Sequence, residues 1–108
     1  MNSQCTTYSF QFLHNILDLI LSNLRMNMTC MDVWMDLESS QAISTEFMIN
    51  EIKLHTIVCN SLRKLAESCL RKLESGRYLS SDAIFQYRET LSESQDRISK
   101  VTKLVKGE

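Results

Sequence analysis

Proline is missing from this sequence, and glycine occurs twice in 108 residues. Tight β-hairpin turns rely on glycine, most often as Asn-Gly or Asp-Gly, and neither dipeptide occurs here. The shortage argues against a sandwich or barrel of many strands, and against a glycine-rich loop that binds phosphate. It favours long helices with few breaks, because proline and glycine are the residues that interrupt helices most strongly.

A large excess of one charge is also missing, since the formal net charge is -1. Residues 1–40 carry one basic residue against four acidic ones, and residues 41–108 carry 11 against 9. Neither part has the basic stripe of a protein that follows a phosphate backbone, so we expect no nucleic-acid partner. With 44% hydrophobic residues, the chain is long enough to bury a core as a single domain over residues 1–108.

The four cysteines, Cys5, Cys30, Cys59 and Cys69, contain no C-x-x-C pair. Their even number is compatible with two disulfides in three connectivities, but Cys59 and Cys69 fall in a helical apolar pattern that suits small buried side chains. The first residues lack the basic segment of a secretion signal, and the apolar stretch after them is too short for a membrane span. We therefore expect a reducing compartment, the cytoplasm or the nucleus, and no transmembrane segment.

Apolar spacing predicts a first helix over about residues 7–25. One row of this helix has spacings of three and four: Phe10, Leu13, Leu17, Ile20 and Leu24. A second apolar row lies beside it: Phe12, Ile16 and Leu19. Two adjacent apolar rows on one helix indicate contact with more than one neighbour.

The methionine-rich segment that follows predicts a short helix over about residues 30–38, bracketed by polar residues as caps or turns. Such a helix gathers Met31, Trp34 and Met35 on one side. Methionine is common at surfaces that accept partner helices, and tryptophan is common among binding hot spots. Two interpretations stay open: a patch that binds a partner, or a cap over the open side of a bundle.

Two longer helices are predicted over about residues 41–75 and 82–106, with Gly76 as the stop between them and Ser80 or Ser81 as an N-cap. The apolar seam of the first of these alternates spacings of four and three: Met48, Ile52, His55, Cys59, Leu62, Ala66, Cys69 and Leu73. The seam of the second does the same: Ile84, Tyr87, Leu91, Ser94, Ile98, Val101 and Val105. Narrow seams joined by a short link are typical of an antiparallel helical hairpin.

The predicted fold is therefore all-α. It is an elongated, coiled-coil-like antiparallel hairpin with a packed N-terminal helix and a short methionine-rich helix, in a three- to four-helix bundle. A helix of about 45 Å is longer than the first helix, at about 28 Å, can cover. This mismatch predicts that a second copy or a different subunit covers the rest.

His55 and Cys59 lie four residues apart on a predicted helix, a spacing that suits two zinc ligands, with Cys69 or Cys30 as further ligands. The apolar seam explains both residues without a metal, so we predict no metal site and no cofactor. A histidine in such a seam needs a hydrogen-bond partner, for which we expect Tyr87 or Ser94.

The sequence predicts a non-enzymatic scaffold or adaptor subunit that assembles through helix–helix contacts in a homo- or hetero-oligomer. The sequence shows no catalytic or small-molecule site, because neither of the two histidines is beside a serine or cysteine in sequence and the carboxylates are scattered. The assembly seam is predicted at Met48, Ile52, His55, Leu62, Leu73, Ile84, Tyr87, Leu91, Ile98, Val101 and Val105, with Met31, Trp34 and Met35 as the partner patch. The alternative is a secreted, short-chain, four-helix cytokine-like protein, supported by size, cysteine number and the glycosylation acceptor Asn27-Met28-Thr29.

Overall fold

Three long helices make up the chain in a computed structural model that describes residues 3–107, with side chains from residue 10 onward. They are α1 (Ser3–Ser39), α2 (Thr45–Ser75) and α3 (Ser81–Lys106), and the described residues contain no strand. Each helix runs antiparallel to the next, so that α1 and α3 are parallel. The bundle measures 58 × 21 × 17 Å, which confirms the all-α, elongated prediction.

The predicted break between the first two helices is wrong, because α1 continues through residues 26–39 as part of one helix of 37 residues. Neither glycine nor proline interrupts this segment. The polar residues taken for caps are accommodated inside the helix: the side chains of Asn27 and Thr29 donate to the carbonyls of Asn23 and Arg25, at 2.8 and 3.0 Å. Residues 3–107 therefore form three helices, where the sequence predicted four helical segments.

The length of α1 also removes the mismatch expected from the sequence. At about 55 Å, α1 reaches along the whole of α2, which is about 46 Å long. The packing of α1 against α2 is more extensive than that of α3 against either helix. Uncovered length of α2 therefore gives no reason for a partner, and any such reason has to come from the surface.

Both bends close with the same backbone arrangement, a Schellman motif. At the second bend, the N–H of Tyr78 donates to the carbonyl of Leu73 at 3.1 Å, and Arg77 between them has φ 58°. The first bend repeats this arrangement with Gln41 at φ 64°. The left-handed position, where glycine is most common, is thus filled by glutamine and arginine.

Gly76 follows the last residue of α2, where the sequence placed a helix stop, but its φ of -78° is available to any residue. The need for glycine comes from a close approach instead. A Cβ at this position would overlap the ring of Tyr78, which packs on Phe10 with ring centroids 4.3 Å apart. Glycine therefore lets the second bend fold back onto α1.

The core contains a row on α1 at seven-residue spacing, Leu17, Leu24 and Met31, each 0–1% exposed. We call these three residues the inner row. Buried side chains of the other two helices meet it: Ile52, Cys59, Ala66, Leu70, Leu73, Leu91, Ile98 and Val101. Because these residues come from all three helices, the core runs along the bundle axis.

Polar side chains attach α3 to both of the other helices. The hydroxyl of Tyr87 donates to Asp18 at 3.0 Å, and Arg97 donates to Asp32 at 2.6 Å. On α2 the contacts are Arg63 to Gln95 at 3.0 Å and Arg88 to Glu74 at 2.8 Å. These contacts place α3 over one side of the α1–α2 pair and leave the opposite side without a third helix.

Candidate interaction surface

The seam predicted to carry assembly lies within the bundle of a single chain. Five of its members are buried in the core: Ile52, Leu73, Leu91, Ile98 and Val101. The others are half-buried: Met48, His55, Leu62, Ile84, Tyr87 and Val105. One chain thus covers most of this seam by itself, and a role of these residues in assembly stays a prediction.

His55 has a different partner from the two expected. Its ring Nδ1 lies 2.8 Å from Oδ1 of Asn27, and because the amide nitrogen of Asn27 donates to its own helix, His55 is the donor. Tyr87 donates to Asp18 instead, and Ser94 donates to a carbonyl of its own helix. The prediction failed because Asn27 was placed in a break between helices rather than on α1 facing α2.

Three of the cysteines, Cys30, Cys59 and Cys69, are free thiols, while the side chain of Cys5 lies outside the described residues. Burial raises the pKa of the Cys59 thiol, and the neighbouring Cys30 raises it further. Within the described side chains, no group of three or more His, Cys, Asp or Glu lies close enough to hold a metal ion.

The predicted partner patch borders the core. Met31 is buried in it, and Trp34 and Met35 are half-buried against it. The ring of Trp34 meets Phe47 of α2 edge to face, with centroids 5.6 Å apart. Packing at the junction of α1 and α2 therefore accounts for these side chains more fully than an open patch does.

A second row of apolar side chains on α1 is exposed. Its members repeat every seven residues and are 48–66% exposed: Phe12, Leu19, Met26 and Val33. We call them the outer row. The sequence pointed to the first two as a second row, but missed Val33 and did not connect Met26 to them. The unbroken seven-residue spacing was the available signal, and the supposed helix end at residue 25 hid it.

A matching set lies on α2, where four apolar side chains are 43–57% exposed: Phe47, Leu54, Val58 and Leu65. We call them the α2 row. The eight residues of the outer row and the α2 row together form what we call the open face.

Helical geometry places both rows on the same side of the molecule. Successive residues of an α-helix are rotated by about 100° about its axis. On α1, Asp18 and Asp32 contact α3, and Asn27 contacts α2. These two directions are about 160° apart around the helix, and the core lies between them. The outer row lies about 90° further on, beyond α2 and away from α3. The same count on α2 puts its row about 80° beyond His55, again away from α3. The open face is therefore the side of the α1–α2 pair opposite α3.

The edge of the outer row is uncharged along most of its length and ends at Asp36, three residues beyond Val33. The positions next to it, again at seven-residue spacing, are Asn15, Ser22 and Thr29. Asn23, which also adjoins the row, donates to a carbonyl of its own helix at 3.0 Å, as Thr29 does. A surface that docks here therefore has few charges or free polar groups of α1 to remove from water.

The outer surface of α3 is different. Its exposed apolar side chains, Phe85 and Leu104, are isolated, and both have charged residues as helical neighbours. Scattered exposed apolar residues are normal in proteins, whereas contiguous rows mark interaction sites. The open face is thus the strongest candidate for a functional surface.

Within residues 3–107, no helix combines the length and the apolar character that a membrane span requires. Comparison of the chain with protein-family models, with curated proteins and with solved structures finds no match.

Proposed function

We propose that the protein is a non-enzymatic assembly subunit that binds helices through the open face. The observation that carries this proposal is the pair of exposed apolar rows, at helical spacing, on one side of the α1–α2 pair. Two antiparallel helices with a ridge of apolar side chains each form a groove that accepts a further helix. Within the described residues, no helix of this chain covers these two rows.

Energetics support the same conclusion. Each side chain of the open face keeps about half its surface in water, on the order of 100 Å² apiece. Burial of apolar surface contributes about 25 cal/mol per Å², so eight such side chains are a large driving force for association. Because most of the edge of the outer row is uncharged, the opposing cost of desolvation stays low.

A protein partner fits this surface better than a membrane surface does. Helices that lie on membranes carry lysine and arginine beside their apolar face, where these side chains meet the lipid headgroups. In α1 the basic residue is Arg25, which the helical count places towards α3 rather than beside the outer row. On α2, Lys72 lies in line with Val58 and Leu65, but a single lysine at one end of the row is not the basic border of a membrane-surface helix. The free thiols fit a reducing compartment, the cytoplasm or the nucleus, as the place of assembly.

No observation favours the alternative of a secreted four-helix signalling protein. The described residues form three helices, where that alternative expects four. Its glycosylation acceptor, Asn27, is half-buried and accepts a hydrogen bond from His55. A glycan at Asn27 would require that contact between α1 and α2 to break.

Photo-crosslinking from two matched positions tests the proposal. A photoreactive amino acid replaces Met26 of the outer row, or Phe85 of α3 as the control, since their side chains are 66% and 67% exposed. In the cells from which the protein comes, we expect protein adducts from position 26 and few from position 85. Equal yields from both positions, or adducts from neither, would show that the open face is not an interaction surface.

A further inference from the structure

Resting on the proposed function, we propose that the open face binds a second copy of this chain in an antiparallel, isologous dimer. The first support is the amount of exposed surface. The chain exposes 7358 Å², whereas a compact monomer of 12.5 kDa exposes about 6200 Å². The surplus of about 1200 Å² exceeds the roughly 800 Å² that each partner buries in an interface of standard size.

The apolar side chains of the open face account for an interface of that size. Eight side chains with about 100 Å² each amount to about 800 Å² per chain. In an isologous dimer, both copies bury this same surface, so one pattern of residues supplies both sides. The uncharged part of the edge, from Asn15 to Thr29, then faces the same part of the other copy.

The charges of α2 favour a second copy over an unrelated helix. Four residues follow one another on one side of α2 at seven-residue spacing: Glu51, Val58, Leu65 and Lys72. The first and last carry opposite charges and lie about 32 Å apart along the helix, too far to pair within one chain. Neither makes an ion pair within the described part of the protein.

An antiparallel second copy pairs these four residues completely. When two α2 helices run in opposite directions about a twofold axis between residues 61 and 62, Glu51 of each copy meets Lys72 of the other. Val58 of each copy then meets Leu65 of the other. Opposite charges thus close both ends of an apolar contact, and a parallel arrangement would place like charges together.

The position of α1 agrees with the same twofold axis. The contacts of Asn27 with His55 and of Met31 with Thr56 fix the level of α1 beside α2. They put the axis beside about residues 20–26 of α1. This is the middle of the outer row, between Leu19 and Met26. One axis therefore centres the outer row of α1 and the pair Val58 and Leu65 of α2, while Phe47 and Leu54 lie to one side of it.

A charge swap tests this arrangement, with mass measured by sedimentation equilibrium from about 1 to 500 µM. We expect the wild-type chain to approach twice its 12.5 kDa. Glu51→Lys and Lys72→Glu should each raise the dissociation constant about tenfold, since each places two pairs of like charges in the dimer. The double variant should return to within about threefold of wild type, because it restores both pairs.

Failure of the dimer is distinguishable from failure of the proposed function. A wild-type chain that stays monomeric, yet crosslinks from position 26 to a different protein, overturns the second copy and keeps the interaction surface. A monomer without adducts from position 26 overturns both. If the wild-type chain forms a dimer, but the double variant stays helical and its dissociation constant does not return towards that of wild type, the antiparallel pairing of Glu51 with Lys72 is overturned.

Discussion

Two rows of apolar side chains on α1 share a spacing and differ in fate. The inner row is 0–1% exposed, and the outer row is 48–66% exposed, although both repeat every seven residues: Leu17, Leu24 and Met31 against Phe12, Leu19, Met26 and Val33. Composition does not separate them. The position of α2 and α3 does, because the inner row faces both helices and the outer row faces neither.

A helix that is apolar in two directions is suited to lie between two packing layers. On α3, by contrast, the side away from the core carries charges around Phe85 and Leu104. A helix with one apolar seam and one charged side packs on a single layer, which for α3 is the α1–α2 pair. The outer row is therefore a feature of α1 in particular, and it points to a layer beyond this chain.

The largest expected effect lies in the inner row. Leu24→Ala should lower the free energy of unfolding by about 2–5 kcal/mol, because it leaves a cavity at a fully buried position. Urea denaturation in dilute solution measures the change. Leu19→Ala is the matched control in the outer row and should cost less than about 1 kcal/mol there. Equal costs at the two positions would mean that the rows do not differ in burial.

The next largest effect is expected on association, because the outer row should matter for association and not for folding. Leu19→Glu should weaken self-association by about 100-fold or more, because it places a carboxylate in an apolar contact. Leu104→Glu on α3 is the control, with a leucine that is 69% exposed against 57% for Leu19. Light scattering over a range of concentrations separates them. Similar behaviour of the two variants would remove the special role of the outer row.

A smaller effect is expected on the pH dependence of stability, through the buried thiol of Cys59 in the core between α1 and α2. Burial raises the pKa of Cys59 above its ordinary value of 9.0. Below that value the thiol is protonated in both states; above it the unfolded chain loses the proton first, so stability falls as the pH rises. Urea unfolding at about pH 8 and 9.5 should show a shallower fall for Cys59→Ala than for wild type. The test stops below the range in which Tyr87 ionises, since burial and its bond to Asp18 raise the pKa of that phenol from 10.0. Identical slopes in the two proteins would contradict burial of Cys59.

The smallest effect concerns the contacts that decide which row is covered. Asp32→Asn breaks the ion pair with Arg97, whose side chains are 50% and 49% exposed. We expect a cost below about 1 kcal/mol, reduced further by salt, because solvent screens exposed pairs. Denaturation at low and high ionic strength measures it. A cost near that of Leu24→Ala would show that charge, and not the inner row, holds α3 in place.

The fold was largely predictable from the sequence, because seam spacing and the shortage of glycine and proline both indicate long helices. The failure at residues 26–40 has a local cause. Asn27 and Thr29 suit a helix cap as well as a helix interior, and their bonds to carbonyls of their own helix decide between the two. The sequence also did not show that Gln41 and Arg77 take the left-handed position in place of glycine, since neither residue type is typical of that position.

The candidate surface was less predictable. The sequence shows two apolar rows on α1, but the row that faces inward depends on where α3 docks. That position is marked by contacts between residues distant in sequence, Tyr87 with Asp18 and Arg97 with Asp32. Sequence spacing does not show these contacts. The regular apolar seam of α2 and α3 was therefore predicted to be the interface.

Methionine methyl groups on α1 give the most direct test that the open face is the association surface. In a sample labelled with 13C at its methionine methyls, a soluble paramagnetic agent reports the exposure of Met26, with the buried Met28 and Met31 as internal references. If the open face is the association surface, we expect strong relaxation of the Met26 methyl in dilute solution and protection of this methyl as the chain associates. The methyls of Met28 and Met31 should stay protected at every concentration. A Met26 methyl that stays equally accessible at every concentration, or one already protected in the monomer, would contradict the open face as the association surface.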